Sequence, residues 1–152
     1  MKVSDILRVK GQSGGTLFTI DPMEPLALAV SIMAEKDMGS LLVMERGELV
    51  GLLTFREVIQ ALHRNGGSLG DFTVRSAMDG QPLTCTPETA IDEVRRMMLE
   101  SHARYMPVVS NRQLQGVISF YDVAKSVVDS QNFENKMLKA YIKDWPSGTP
   151  DP

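Results

Sequence analysis

Apolar positions along this chain come in short phased runs separated by polar punctuation. Leu26, Ala29, Val30 and Met33 recur at helical spacing. Ahead of them, LFTI at 17–20 is a short strand, ended by Pro22. Gly39 is placed to close the helix, as glycine commonly does. SLLVME at 40–45 then predicts a buried strand, ERGE a polar turn and LVGLLT the returning strand of a hairpin. Val58, Ile59 and Leu62 mark a further helix. The order is strand, helix, strand, strand, helix.

The same order comes again. Ile91, Val94 and Met98 predict the helix, MPVVS and LQGVIS the hairpin around SNRQ, and Val123 and Val127 the closing helix. GLLTFREV at 51–58 returns as GVISFYDV at 116–123, a shift of 65 residues. Under that shift the match runs without a gap from Thr19 to Leu62. It pairs Thr19 with Thr84, Pro22 with Pro87, Gly51 with Gly116 and Phe55 with Phe120. Identities that keep the hydrophobic phase throughout mark an internal repeat. A helical lead-in precedes each copy, VSDIL near the start and VRSAM at 74–78. NGGSLGD at 65–71 reads as a linker. KGQSGG at 10–15 reads as a flexible loop with no counterpart of equal length in the second copy. The expected division is a first repeat over 1–66, a second over 67–130, and a C-terminal helix with a frayed tail over 131–152. Phe133, Met137, Leu138 and Tyr141 give that helix its apolar side.

Composition narrows the function. A formal charge of −3 argues against nucleic acid as partner, since a basic footprint is needed there. The single cysteine, Cys85, allows no intrachain disulfide and suits a reducing compartment. No signal-like or membrane-spanning apolar run is present, so a cytoplasmic protein with no membrane contact is expected. His63, His102 and Cys85 lack metal-ligand spacing, and no catalytic cofactor, metal or nucleophile–base pair is expected. Cys85 falls in a predicted strand and reads as a buried, inert thiol.

Each repeated phrase sets a hydroxyl three residues before a carboxylate, at a strand-to-helix junction: Thr54 and Glu57, then Ser119 and Asp122. A helix start has free N–H groups and a positive dipole end, which favour an anion. A carboxylate in the first turn can accept from the hydroxyls of a ribose. The same spacing is also a capping box, in which the two side chains satisfy helix N–H groups. Thr54 and Glu57 match the box well. Aspartate is one methylene shorter, so Asp122 is expected to reach back less well and to face a cleft.

These residues carry a family resemblance. Two β-α-β-β-α units, with MPVVSNRQLQGVISFYDV the closer match and SLLVMERGELVGLLTFREV the looser, resemble a tandem CBS-domain pair, or Bateman module. The resemblance covers all but the C-terminal tail. It implies an α+β fold of two repeats packed sheet to sheet with pseudo-twofold symmetry, plus the C-terminal helix. It implies a non-enzymatic sensor that binds an adenosine nucleotide between the copies and signals to a protein effector. AMP is the first expected ligand, with ADP, ATP, NAD or S-adenosylmethionine as others. A homodimer with the C-terminal helix near its contact is also implied. The alternative is an assembly module that keeps the fold without the nucleotide. By the same resemblance, the principal ligand site is expected at Asp122 and Ser119, with Arg104 for phosphate, Tyr105 and Tyr121, and Thr16, Phe18, Met38 and Gly39 from the first copy. Arg104 and Arg56 as solvated surface residues, Phe18 and Leu83 as plain core, and Tyr121 as cover for the hairpin remain open readings. A weaker site is expected at Thr54, Arg56 and Glu57, with Gln81, Leu83 and Ala103 from the second copy.

Overall fold

The computed structural model describes residues 1–12 and 17–129. The expected C-terminal helix and tail, and Thr16, lie outside the described residues. Helix α1 (Val3–Gln12) opens the chain. The first copy runs β1 (Thr19–Ile20), α2 (Leu26–Glu35), β2 (Ser40–Glu45), β3 (Glu48–Thr54) and α3 (Phe55–Arg64). The second has α4 (Val74–Ala77), α5 (Ile91–Ser101), β4 (Tyr105–Ser110) and β5 (Gln113–Ser119), and residues 120–129 form helix α6. The fold is α+β.

β1 pairs parallel with β2, and β2 antiparallel with β3. β4 and β5 form the matching hairpin. Cys85 stands where the second copy's first strand is expected, as a single parallel bridge to Val108. Its thiol is buried, and burial pushes it up to about 11. Strands β3 and β5 lie against each other and bring the two sheets together. Both hairpins close on two left-handed residues, Arg46–Gly47 and Asn111–Arg112. That is the tight turn whose twist matches paired strands, and it falls within the two polar turns.

The glycine at 39 does not end α2. That helix stops at Glu35, and the left-handed position falls on Asp37. His102 plays the same part after α5. Gly39 is needed for another reason: a β-carbon there would collide with the phenol of Tyr105.

The lead-in helices cross over. Val3 and Ile6 of α1 are buried in the second copy's core with Ile91, Val94, Met98, Met106 and Ile118. Val74 and Ala77 of α4 are buried in the first copy's core with Leu26, Ala29, Met33 and Leu53. Burying one such valine or isoleucine contributes roughly 1.5–3 kcal/mol. The backbone anchors repeat. Val3 N–H donates to Thr89 and Ser4 to Pro87, while Val74 donates to Glu24 and Arg75 to Pro22. Val3 thus corresponds to Val74, an offset six residues longer than the 65 that relates the strands. Ile6 then corresponds to Ala77 and Leu7 to Met78. Leu7 abuts Gly116 and Met78 abuts Gly51, so the glycine that opens each repeated phrase is where the lead-in crosses the sheet.

Beyond the lead-ins the paths of the chain differ. After α4 the chain turns extended, and Asp79 bonds both ways with Leu52 along the outer edge of β3 (3.0 and 2.9 Å). α1 instead continues as helix to Gln12. The loop expected from position 10 is therefore helical through Gln12.

Candidate functional site

A cavity of about 750 Å³ lies between the copies at the start of α3. The first copy contributes Gly39, Thr54, Phe55, Arg56, Glu57, Ile59 and Gln60. The second contributes Asp79, Gln81, Pro82, Leu83, His102, Ala103, Arg104 and Tyr105. All six residues expected at the Glu57 site, Thr54, Arg56, Glu57, Gln81, Leu83 and Ala103, line this cavity. Gly39, Arg104 and Tyr105, expected beside Asp122, line it as well. The cation that the sequence suggests for the second cleft therefore stands in the first.

Thr54 caps α3. Its backbone N–H and its hydroxyl both donate to Glu57 Oε1, at 2.8 and 2.7 Å, and its oxygen accepts from Arg56 N–H at 3.2 Å. Both bonds to Glu57 fall on one oxygen, so Oε2 has no partner among the described residues. The guanidiniums of Arg56 and Arg104 form no ion pair there either. Phe55, Ile59 and Leu83 leave large apolar surface exposed around them. The cleft offers one unengaged carboxylate oxygen, two unpaired guanidiniums, a capped helix start and apolar walls. That set can hold a ligand with hydroxyls, an anionic group and a flat apolar face.

The start of α6 is built differently. Ser119 N–H donates to Asp122 Oδ2 at 2.9 Å, and Asp122 N–H donates to Ser119 Oγ at 3.0 Å. The shorter side chain does reach back, and the box is complete. The expectation that aspartate would reach back less well fails: its Oδ2 meets the Ser119 N–H at 2.9 Å, as Glu57 Oε1 meets that of Thr54 at 2.8 Å. A residue from the other end of the chain meets the same oxygen. Lys10 Nζ donates to Asp122 Oδ2 at 2.9 Å and to the Val117 carbonyl at 2.9 Å. The Asp122 side chain is 18% exposed. Burial pushes its carboxyl up, but the Ser119 N–H and the Lys10 ammonium outweigh burial and hold it below its ordinary value.

A second cavity, about 450 Å³, lies between α1 and α6 and is lined by Tyr121 and Asp122 with Lys10, Lys125 and Asp129. Phe18 is half-buried against the first core. Met38 is half-buried next to Gly39. Lys10 was missed in the sequence because the glycines after it suggest a loop. A signal was present: Val3, Ile6, Leu7 and Lys10 fall on one helical stripe. Asp79, Gln60 and Ile59 line the first cavity and carry no motif that would mark them.

Among the described residues, no three His, Cys, Asp or Glu side chains gather to hold a metal ion, and no helix is long and apolar enough to cross a membrane.

The family model described as CBS domain matches twice, over residues 15–64 and 74–129. CBS domain-containing protein CBSX3, mitochondrial, from Arabidopsis thaliana is 29% identical over 147 residues, covering 93% of this chain and 71% of its own length. A protein with CBS domains from Burkholderia ambifaria superposes with a TM-score of 0.79 at 30% identity, covering 86% of this chain and 96% of its own. CBSX2, solved in complex with AMP, superposes with a TM-score of 0.69 at 21% identity, covering 86% and 98%, a likeness of fold.

Proposed function

The chain belongs to the CBS-domain family as a tandem pair, and from that premise we propose that it is a regulatory module whose cleft at Glu57 takes up an adenosine nucleotide. AMP is the leading ligand, with ADP, ATP, NAD and S-adenosylmethionine as the others to test. One observation carries the reading: Glu57 Oε2 and the guanidiniums of Arg56 and Arg104 share a cavity of about 750 Å³ and have no partners among the described residues. A carboxylate oxygen accepts from ribose hydroxyls, and guanidiniums engage phosphate. Phe55, Ile59 and Leu83 supply apolar surface for a base. AMP held by CBSX2 supports the ligand class. The reading is of a binding module that signals to a protein effector, not of an enzyme.

Self-association belongs to the same proposal. Phe120, Tyr121 and Val128 of α6 are exposed, and a homodimer would cover them. Light scattering at micromolar concentration should give twice the chain mass; a monomeric mass removes this part alone.

Titration calorimetry against the five ligands tests the nucleotide reading. Heat with at least one, lost in Glu57→Ala, is the expected result. No heat with any of the five would leave a CBS pair that works as a nucleotide-independent assembly module.

A further inference from the structure

The two copies cover the same backbone position in different ways. In the first, Leu52 on the outer edge of β3 is paired by the backbone of Asp79. Its counterpart in the second copy is Val117. Pro107, which pairs with Val117, turns its carbonyl away to Cys85. The Val117 carbonyl therefore faces outward from β5, as in any non-hydrogen-bonded pair of an antiparallel ladder. No strand among the described residues covers it; Lys10 does, and the same ammonium holds Asp122. In the first copy the lead-in helix ends at Ala77 and the chain beyond it runs extended along β3, so that copy has no helical position equivalent to Lys10. The extra turns of α1 thus bring a cation to one copy's carboxylate and leave the other copy's carboxylate without one.

We propose that Lys10 is an internal latch: while α1 holds it on Asp122, the ammonium neutralises the second copy's carboxylate and stands in front of it, and the chain binds one nucleotide, in the Glu57 cleft, whose carboxylate carries no such cation. Releasing Lys10 opens a second site at Asp122. The number of nucleotides bound then reports the seating of α1. Asp122 Oδ2 already accepts from Ser119 N–H and from Lys10, so a ribose hydroxyl has to displace the ammonium or make do with Oδ1. Displacement also uncovers the Val117 carbonyl and shifts the end of α1. Lys10 is the one cation on that cavity that bonds Asp122 among the described residues. Asp5 is engaged by the Lys2 N–H and by Arg8, while Lys125 and Asp129 form no ion pair among the described residues. The ligand arm of this proposal rests on the nucleotide reading above; the latch itself does not.

The test is Lys10→Met, which keeps the apolar stem and removes the ammonium. With AMP as probe, calorimetry should give one equivalent per chain for the wild type and two for Lys10→Met. The added equivalent should vanish in the Lys10→Met/Asp122→Asn double variant. Two equivalents in the wild type, one in Lys10→Met, or weaker AMP binding in Lys10→Met would each overturn the proposal; the last would make Lys10 a ligand contact. If AMP binds to neither protein, the nucleotide reading fails and two nucleotide-free readouts decide the latch. The Asp122 carboxyl should titrate at higher pH in Lys10→Met by NMR, and amides at 8–12 should exchange faster with solvent. Absence of both changes sinks it.

Discussion

The phenol of Tyr105, at the start of β4, lies directly over the α-carbon of Gly39, so that the two copies touch where the Glu57 cleft opens. A methyl group at 39 has no space unless the ring moves. Gly39→Ala should therefore destabilise the fold by about 1–3 kcal/mol, the usual range for overpacking. In a double-mutant cycle with Tyr105→Ala most of that cost should disappear, because the colliding ring is gone. Urea midpoints of the four proteins measure it. An equal cost with and without Tyr105 would mean that Gly39 is required for its backbone instead.

Arg56 and Arg104 should read phosphate. Each is exposed, lines the cleft and lacks a carboxylate partner among the described residues. A charge-assisted hydrogen bond contributes about 1.5–3 kcal/mol, so Arg104→Ala should weaken AMP binding roughly tenfold or more. Adenosine, which has no phosphate, should bind both proteins alike. Calorimetry with the two ligands separates a phosphate contact from a general loss of cleft shape, since a shape effect would weaken both.

Short range and repetition made much of the fold legible in the sequence. Apolar periodicity located the helices. The turns at 46–47 and 111–112 could be placed from polar residues between apolar runs, and the 65-residue shift doubled each signal. The hydroxyl–carboxylate pairs could be read as helix caps because a box closes within four residues. The grouping of Arg104 with Glu57 depends on how β3 and β5 oppose one another, which no local pattern records. Gly39 shows a related failure: its spacing after α2 imitates a helix terminator, while its actual neighbour is 66 positions away. Lys10 was hidden by the glycines after it, although the α1 stripe already pointed it inward. The Asp122 argument failed on geometry: with one methylene fewer, the carboxylate still meets the cap N–H at 2.9 Å.

Acid should expose the Asp122 interactions. A carboxyl held below its ordinary value of 3.8 in the folded state contributes stability that is present above that value. The contribution is lost as pH falls through the lowered folded value, because the unfolded chain takes up the proton first. Asp122→Asn removes the titrating group. Its stability should fall less steeply than the wild type's below pH 3.8, and its deficit should shrink in that range. Chemical denaturation across the acid range reads both slopes, and parallel curves would count against a depressed Asp122.

Gly51→Ala and Gly116→Ala are the same substitution in the two copies, and they should not cost the same. At Gly116 the new methyl meets Leu7 Cδ2 at 2.8 Å, with no backbone atom as close. The end of a leucine can rotate away, so the cost should stay near the low end of the ~1–3 kcal/mol range for overpacking. At Gly51 the methyl meets Met78 Sδ and also the Asp79 carbonyl, which lies at 2.9 Å. Methionine is adaptable and would give way. The carbonyl is fixed, because the Asp79 backbone is paired to Leu52 in both directions. Gly51→Ala should therefore be the more damaging change. Shortening the partner side chain discriminates further. Leu7→Ala should remove most of the penalty of Gly116→Ala in a double-mutant cycle, whereas Met78→Ala should leave much of the Gly51→Ala penalty in place. Matching penalties in the two copies, or full relief at Gly51 by Met78→Ala, would show that the pairing of Asp79 along β3 yields easily. Full relief would place the asymmetry in the lead-in side chains and not in the backbone beyond them.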